Sequence, residues 1–323
     1  MITPMIREIK KKFPDSFLAT LTNPNTANIL INNPYLNEII TDDLSKKNYL
    51  RVVKQLRELR FTDGLLVFPT KRAAYQMMLA GIKTRVGEGH RLYEVISGMR
   101  SIDRHNYIPL KHETYFSMDT ARKIGVNTNN LDLEIYVTEE EKKDINEFLN
   151  KIGIDNKDYK VMIHTGSLGS SPNWSEGKYL LLIKEILSLQ IPNLKILLTA
   201  VEMSEGFLKS VADLKDNRII DIASKLMGLR HFIKIISVID LFMSNSTGPL
   251  HIADALNKKC IGINCHRPMN SAKYWGILNK TSINIEVPEE YCNKNCSANK
   301  EICSFENGIS VQQVIDGIKT LLN

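Results

Sequence analysis

The chain opens with apolar residues Met5, Ile6, Ile9 and Phe13 at helical spacing behind Thr3 and Pro4. This predicts a helix capped by Thr3, with the proline in its first turn. Strand-like runs near Ser16–Leu21, Glu38–Ile40, Asp63–Phe68 and Gly81–Val86 alternate with helical segments at Pro24–Ile31, Lys46–Arg60 and Arg72–Ala80. That alternation predicts a parallel, doubly wound α/β sheet. One feature breaks the pattern: a helix stands first, where such a sheet begins with a buried apolar strand.

Residues 125–158 are polar, with Glu139-Glu140-Glu141 and Asn-rich turns. A helix fits Glu139–Leu149 and Gly153–Asp158 reads as a linker, so two domains are expected, 1–155 and 156–323. The second restarts cleanly with strands at Lys160–His164, Lys195–Leu198, Arg218–Asp221, Asp240–Met243 and Cys260–Ile263. Helices are predicted between them at Gly177–Leu189, Ser204–Lys215, Leu229–Ser237 and Gly248–Leu256. The closing helix, Val311–Leu322, is expected to pack back across the first domain.

Composition narrows the class. With 323 residues, 43% hydrophobic and 24% charged, the chain excludes a disordered, collagen-like or disulfide-stapled protein. No apolar run approaches the ~20 residues that cross a bilayer, and Met1–Lys12 lacks a signal-peptide core. Five cysteines without a secretory signal read as reduced thiols in a cytoplasmic protein. The net charge of +6 is uneven: residues 1–110 hold 17 Lys/Arg against 10 Asp/Glu. An anionic partner such as a phosphate, an acidic sugar or a membrane surface explains that bias, and so does a solvated face. Nucleic acid is not indicated, because no basic run is interleaved with aromatics.

Ligands of open α/β sheets bind beyond the carboxyl ends of strands. One such end is His164-Thr165-Gly166-Ser167-Leu168-Gly169-Ser170-Ser171, whose small residues let backbone N–H groups approach a phosphate. It lacks the Gly-Lys-Ser/Thr ending of a Walker loop and reads equally as a plain connection. The sharper one is Asn245-Ser246-Thr247-Gly248-Pro249-Leu250-His251, a strand-to-helix turn whose free N–H groups and helix dipole make an anion seat. His251, one turn inside, is placed to donate to a phosphate oxygen; a capped core helix with a satisfied histidine is the alternative.

These residues resemble glycosyltransferase family 9, the ADP-heptose:lipopolysaccharide heptosyltransferases, and further segments agree in order. They are Thr3-Pro4 through Asp15, Asn33-Pro34-Tyr35-Leu36-Asn37-Glu38, Arg60-Phe61-Thr62-Asp63-Gly64 and Gly81–Gly87 in the first half. In the second half they are His164-Thr165-Gly166-Ser167 with Asn173-Trp174, and Arg267-Pro268 with Tyr274-Trp275-Gly276. The resemblance implies a GT-B fold of two Rossmann-like domains, with the nucleotide-sugar donor in the second and the acceptor in the first. It implies that Ser246, Thr247, Gly248 and His251 hold the diphosphate, with Gly166 and Ser167 lining its other side. Met227 falls where relatives pack a side chain on adenine, and a core methionine is the competing reading. Glu205, with Glu202 beside it, is the candidate for the ribose hydroxyls, against a helix-start glutamate. The implied activity is inverting, metal-independent transfer of a heptose or related sugar from a nucleotide diphosphate, ADP-heptose foremost, to an anionic lipopolysaccharide-type acceptor. Peripheral contact at the inner membrane goes with it, and no cofactor is implied. A silent nucleotide-sugar-binding relative is the alternative. A nicotinamide oxidoreductase is disfavoured, because no Gly-x-Gly-x-x-Gly follows a strand.

Three departures from the family pattern stand out. The match begins after the strand and Gly-Asp loop that carry the family's proposed base, so Met1 is expected to be an internal start. Pro172 stands where a phosphate-contacting lysine is common, and Ser246 replaces an aspartate. The catalytic base is therefore unassigned; Asp63, Asp103 and His105 are candidate substitutes, each with a structural role as the alternative. Cys292, Cys296 and Cys303 offer three thiols where structural zinc wants four ligands, so no metal is expected. Cys260 and Cys265 read as small core residues.

Overall fold

The computed structural model of the chain describes residues 1–87, 89, 91–102, 110–167, 169–200, 203–296 and 306–322. The chain divides into two units, Met1–Tyr136 and Val137–Asn323. The first contains α1 (Thr3–Lys12), β1 (Ala19–Thr22), α2 (Pro24–Ala27), β2 (Glu38–Thr41), α3 (Lys46–Glu58), β3 (Asp63–Leu65) and α4 (Lys71–Leu79), then β4 (Thr84–Gly87), α5 (Leu92–Ile96), β5 (Arg100–Ser101) and α6 (Glu113–Arg122). The second opens with α7 (Glu139–Lys151), β6 (Tyr159–His164), α8 (Glu176–Ser188), β7 (Leu194–Thr199), α9 (Glu205–Ala212) and β8 (Ile219–Asp221). It continues with α10 (Leu229–Ser237), β9 (Leu241–Asn245), α11 (Gly248–Ala255), β10 (Lys259–Asn264), α12 (Ala272–Trp275), β11 (Ile283–Glu286), α13 (Glu289–Asn295) and α14 (Val311–Leu322).

In the second unit six parallel strands run in the order β11-β10-β9-β6-β7-β8. Strands β6, β7, β9 and β10 are near-continuous apolar runs because helices cover both faces of a parallel sheet. Their side chains join those of α8 and α14 in one large core that includes Trp174, Tyr179 and Phe207. The first unit is built differently. It holds a two-stranded parallel sheet, β1-β2, and a separate three-stranded one, β3-β4-β5, over several smaller apolar clusters.

Several expectations change. The boundary falls at 136/137 rather than near 155, because α7 belongs with the second unit. Thr138 and Glu141 form a capping box at its start. The same Glu141 accepts from Arg230 Nε of α10 at 2.8 Å, and the Phe148 and His231 rings meet at 4.7 Å. Helix α14, expected to cross back to the first domain, lies on β10, β11 and α8 of its own unit. Gly317 permits that close approach: a Cβ there would meet Ile261 Cδ1 at 3.3 Å. The run at Asp63–Phe68 pairs only as far as Leu65, with Phe68 turned outward. Helix α6 and strands β5 and β11 carry no apolar period strong enough to have been read from the sequence.

Asp42, following β2, is the polar anchor of the first unit. It is only 5% exposed and accepts from Arg72 Nε at 2.7 Å and Gln76 Nε2 at 2.8 Å. Burial pushes its carboxyl up, but the bonds from Arg72, Gln76 and the Leu44 amide outweigh this and hold it at about 2. Its folded value thus lies below the unfolded one near ~3.9. The pair then contributes about 2 kcal/mol above pH ~4, lost as pH falls toward 2. Asp42→Ala strands the guanidinium and should cost about 3 kcal/mol. Urea unfolding of both forms between pH 7 and pH 3 should show the gap narrow by about half on acidification.

Candidate functional site

Strand order in the second unit reverses between β6 and β9. The chain runs outward from β6 through β7 and β8 on one side, and from β9 through β10 and β11 on the other. Loops leaving β6 and β9 therefore diverge, opening a crevice at the carboxyl edge. His164 of β6 lies opposite Ser244 of β9 in the register, so the two sequence-flagged loops begin side by side.

The β9–α11 turn is built to leave donors unspent. Thr247 is the N-cap of α11, a position where a hydroxyl ordinarily accepts from the helix's opening N–H groups. It makes no such bond; its Oγ1 instead pairs with Ser244 Oγ at 3.0 Å. Ser246 N–H is used by the Ile263 carbonyl at 2.9 Å, and the Thr247 carbonyl takes Leu250 N–H at 3.1 Å. Pro249 has no N–H to offer. The N–H groups of Thr247 and Gly248 have no partner among the described residues, and they face the positive end of the helix dipole. His251 lies one turn further, its ring 5.8 Å from that of Trp275.

The β6 loop closes the other side. Gly166 takes φ +87°, a left-handed conformation that favours glycine, and the space beside it is open. Its backbone meets the hydroxyl of buried Tyr179, which also donates to Asn245 Oδ1 at 3.3 Å; Asn245 Nδ2 in turn donates to Asn173 Oδ1 at 2.7 Å. Tyr179 thus ties the two loops together, and burial pushes its hydroxyl pKa up, so it stays protonated. Ser167 Oγ donates to the Ser171 carbonyl at 2.6 Å, so it shapes its own loop. His164 is buried against Thr199 Oγ1 at 2.9 Å, and burial lowers its pKa to about 4, so it is neutral at pH 7.

The remaining candidates lie along the same edge. Met227, after β8, is 71% exposed, so the competing core reading is overturned. Glu205 opens α9 after β7 and is exposed, with Ser204 capping the helix at 3.0 Å from Phe207 N. Glu202 and Leu168 lie outside the described residues. The register of β6 and β9 brings the loops that carry Gly166, Ser167, Ser246, Thr247, Gly248 and His251 to the same edge of the sheet. Met227 and Glu205 stand beyond the neighbouring strands. Sequence reasoning missed Tyr179, which reads there as one more apolar position of α8. Asp63 is exposed and accepts from Thr62 Oγ1 at 2.6 Å, while Asp103 and His105 lie outside the described residues.

Cys260 and Cys265 are buried, as read; Cys292 is buried beside Cys265 and Cys296, its thiol pKa raised by burial and by those neighbours. Among the described residues no group of three or more His, Cys, Asp or Glu is placed to hold a metal, and Cys303 lies outside them. Among them, too, no helix is long and apolar enough to cross a membrane.

A doubly wound unit with an anion seat at its strand-order reversal is the architecture of a nucleotide-binding α/β protein. The sequence profile of glycosyltransferase family 9 (heptosyltransferase) matches residues 49–304, and the chain belongs to that family of transferases. A Haemophilus influenzae protein provisionally named a glycosyltransferase is 25% identical over 95% of this chain and 90% of its own length. The fold matches a family 9 glycosyl transferase from Veillonella parvula at TM-score 0.80, 18% identity, covering 99% of this chain and 92% of that one. It also matches the E. coli ADP-heptose lps heptosyltransferase II at TM-score 0.75, 17% identity, covering 99% and 93%. Both are GT-B enzymes, the fold the sequence resemblance implied.

The loop-tying role of Tyr179 is open to test. Tyr179→Phe leaves the Gly166 N–H and the Asn245 side chain short of a partner inside the protein. It should lower stability by about 1–3 kcal/mol, read as a fall in the thermal midpoint, with secondary structure unchanged by circular dichroism.

Proposed function

We propose that the protein transfers a heptose or closely related sugar from ADP-heptose to a lipopolysaccharide-type acceptor, with inversion and without a metal. The observation that carries this is the β9–α11 turn, where the cap hydroxyl is diverted and two N–H groups are left for a guest. A diphosphate satisfies those groups. Thr247 and Gly248 donate through the backbone, Ser246 through its hydroxyl and His251 through its imidazole. Gly166 and the Ser167 backbone line the opposite wall, because the Ser167 hydroxyl is already engaged. Met227 offers an exposed thioether to the adenine, and Glu205 a carboxylate to the ribose.

Breaking the sugar–phosphate bond moves negative charge onto the departing diphosphate. Fixed N–H dipoles at a helix start stabilise that charge without reorganising, which is the work a metal does elsewhere. The acceptor hydroxyl must lose a proton to a base. The positive balance of residues 1–110 supports the first unit as the side that meets an anionic acceptor at the membrane surface. A nucleotide-sugar-binding protein without turnover is the second reading. It is favoured by Asp63, the one described candidate base, already accepting a hydrogen bond from Thr62.

Titration calorimetry with ADP, UDP and ADP-heptose, followed by product analysis, separates these readings. Binding with transfer supports the first and binding alone the second; absence of binding removes both. His251→Ala should weaken ADP by about 1–3 kcal/mol, roughly 5- to 150-fold. Met227→Ala should weaken ADP while shifting stability by no more than about 0.5 kcal/mol, as befits an exposed side chain.

A further inference from the structure

The stretch that carries Met227 has little packing to hold it. After β8 the chain makes a single 3-10 turn, Ala223–Lys225, and then enters α10. Ser224, Lys225, Met227 and Gly228 are exposed, and the space beside the Gly228 Cα is open. Hydrogen bonds therefore fix its backbone. Upstream, Ser224 N–H donates to Asp221 Oδ1 at 3.3 Å, Lys225 N–H to the Ile222 carbonyl at 3.0 Å and Leu226 N–H to the Ala223 carbonyl at 3.3 Å. Downstream, Gly228 takes φ +97°, in the left-handed region, and turns the chain into the helix.

Gly228 stands at the N-cap of α10 and has no side chain with which to cap it. In a capping box, the side chain three residues into the helix reaches back to a backbone N–H at its start. His231 occupies that third position, and its Nδ1 accepts the Met227 N–H at 3.3 Å, one residue further back than usual. For Nδ1 to accept, the neutral ring carries its proton on Nε2. Burial and the nearby Lys234 ammonium both lower the His231 pKa, which keeps the ring neutral at pH 7. His231 is itself held. Its ring meets the Phe148 ring of α7 edge to face at 4.7 Å, and the preceding Arg230 donates to Glu141 of α7 at 2.8 Å. The following Phe232 and Ile233 are buried. The exposed stretch is thus tied to a docked pair of helices through this imidazole.

We propose that His231 is a positioning residue for the base end of the nucleotide: by holding the Met227 backbone, it presents the Met227 thioether as a fixed face for adenine. The inference rests on the adenine contact proposed above for Met227. A methionine side chain is flexible and polarizable, so it makes a soft, adaptable surface. If its backbone were loose as well, ordering both when a base arrives would subtract from affinity. With the backbone already pinned from α10, only the side chain remains to be ordered. The proposed diphosphate seat gains nothing from this tie, because its donors belong to the turn before α11. His231 therefore contributes to the choice of base and not to the grip on phosphate. It acts through Met227 and needs no contact of its own with the nucleotide.

Two substitutions separate the tie from the ring. His231→Phe keeps a ring against Phe148 and removes the acceptor, whereas His231→Asn keeps an acceptor at the δ position and removes the ring. Exchange of the Met227 amide, followed by NMR in the free protein, should quicken by about fivefold or more in His231→Phe. It should return toward the parent rate in His231→Asn. ADP binding, read by calorimetry, should weaken about three- to tenfold in His231→Phe and recover in His231→Asn. Inorganic pyrophosphate should bind the parent and both variants alike. In the Met227→Ala background, His231→Phe should weaken ADP no further, since the two residues act as one unit. The proposal is overturned if His231→Phe leaves the Met227 amide unchanged, or weakens pyrophosphate as much as ADP. It is overturned, too, if His231→Asn fails to restore ADP binding, or if the effect of His231→Phe persists without the Met227 side chain. A failure of the proposed adenine contact reads differently. Met227→Ala then leaves ADP binding as it was, whereas a failure of the tie leaves Met227→Ala damaging and His231→Phe silent.

Discussion

A parallel sheet can grow in both directions from its first strand only by reversing its strand order once, and that constraint governs this protein. In the second unit β6 and β9 are far apart in sequence yet adjacent in the sheet. The loops that leave them diverge at the carboxyl edge of the sheet. Everything distinctive about the site follows from the way those loops are finished. Tyr179 ties them together, Gly166 adopts a backbone that a side chain would strain, and Thr247 spends its hydroxyl on Ser244. The second unit joins its six described strands in one sheet and leaves unspent donors at the mouth of α11, the seat that the proposed function uses.

The first unit divides its strands between two smaller sheets. Its apolar side chains gather in smaller clusters, and Asp42 secures β2 to α4 through Arg72 and Gln76. An unpaired parallel edge is both a binding surface and an aggregation hazard. The two units thus contrast in how far each has satisfied its backbone, although both are built from the same alternation of strand and helix.

Much of this was legible in the residues. Apolar runs as dense as Lys195–Leu198 or Cys260–Ile263 belong to fully covered strands, and the order of strand and helix carried the fold class. The helix start proposed as the anion seat was legible in Thr247-Gly248-Pro249, because hydroxyl, glycine and proline each have a positional reason there. The domain boundary was not, because an acidic run such as Glu139–Glu141 looks the same whether it caps a helix docked on Arg230 or trails into a linker. Tyr179 was hidden for a similar reason: a helical apolar stripe does not announce that one hydroxyl reaches across to another loop. The exposure of Met227 was not legible either, since a core methionine and a surface one read alike in the sequence.

In the proposed function, a seat assembled from backbone amides and an imidazole grips the diphosphate and is indifferent to what hangs from either end of it. In the proposed arrangement every nucleotide sugar gains the same grip there, so that grip provides anchorage without choice. Discrimination between purine and pyrimidine falls to the neighbourhood of Met227, and discrimination between one sugar and another to whatever surrounds the far phosphate. Donor preference in this chain could therefore drift through surface loops while the turn after β9 stayed as it is.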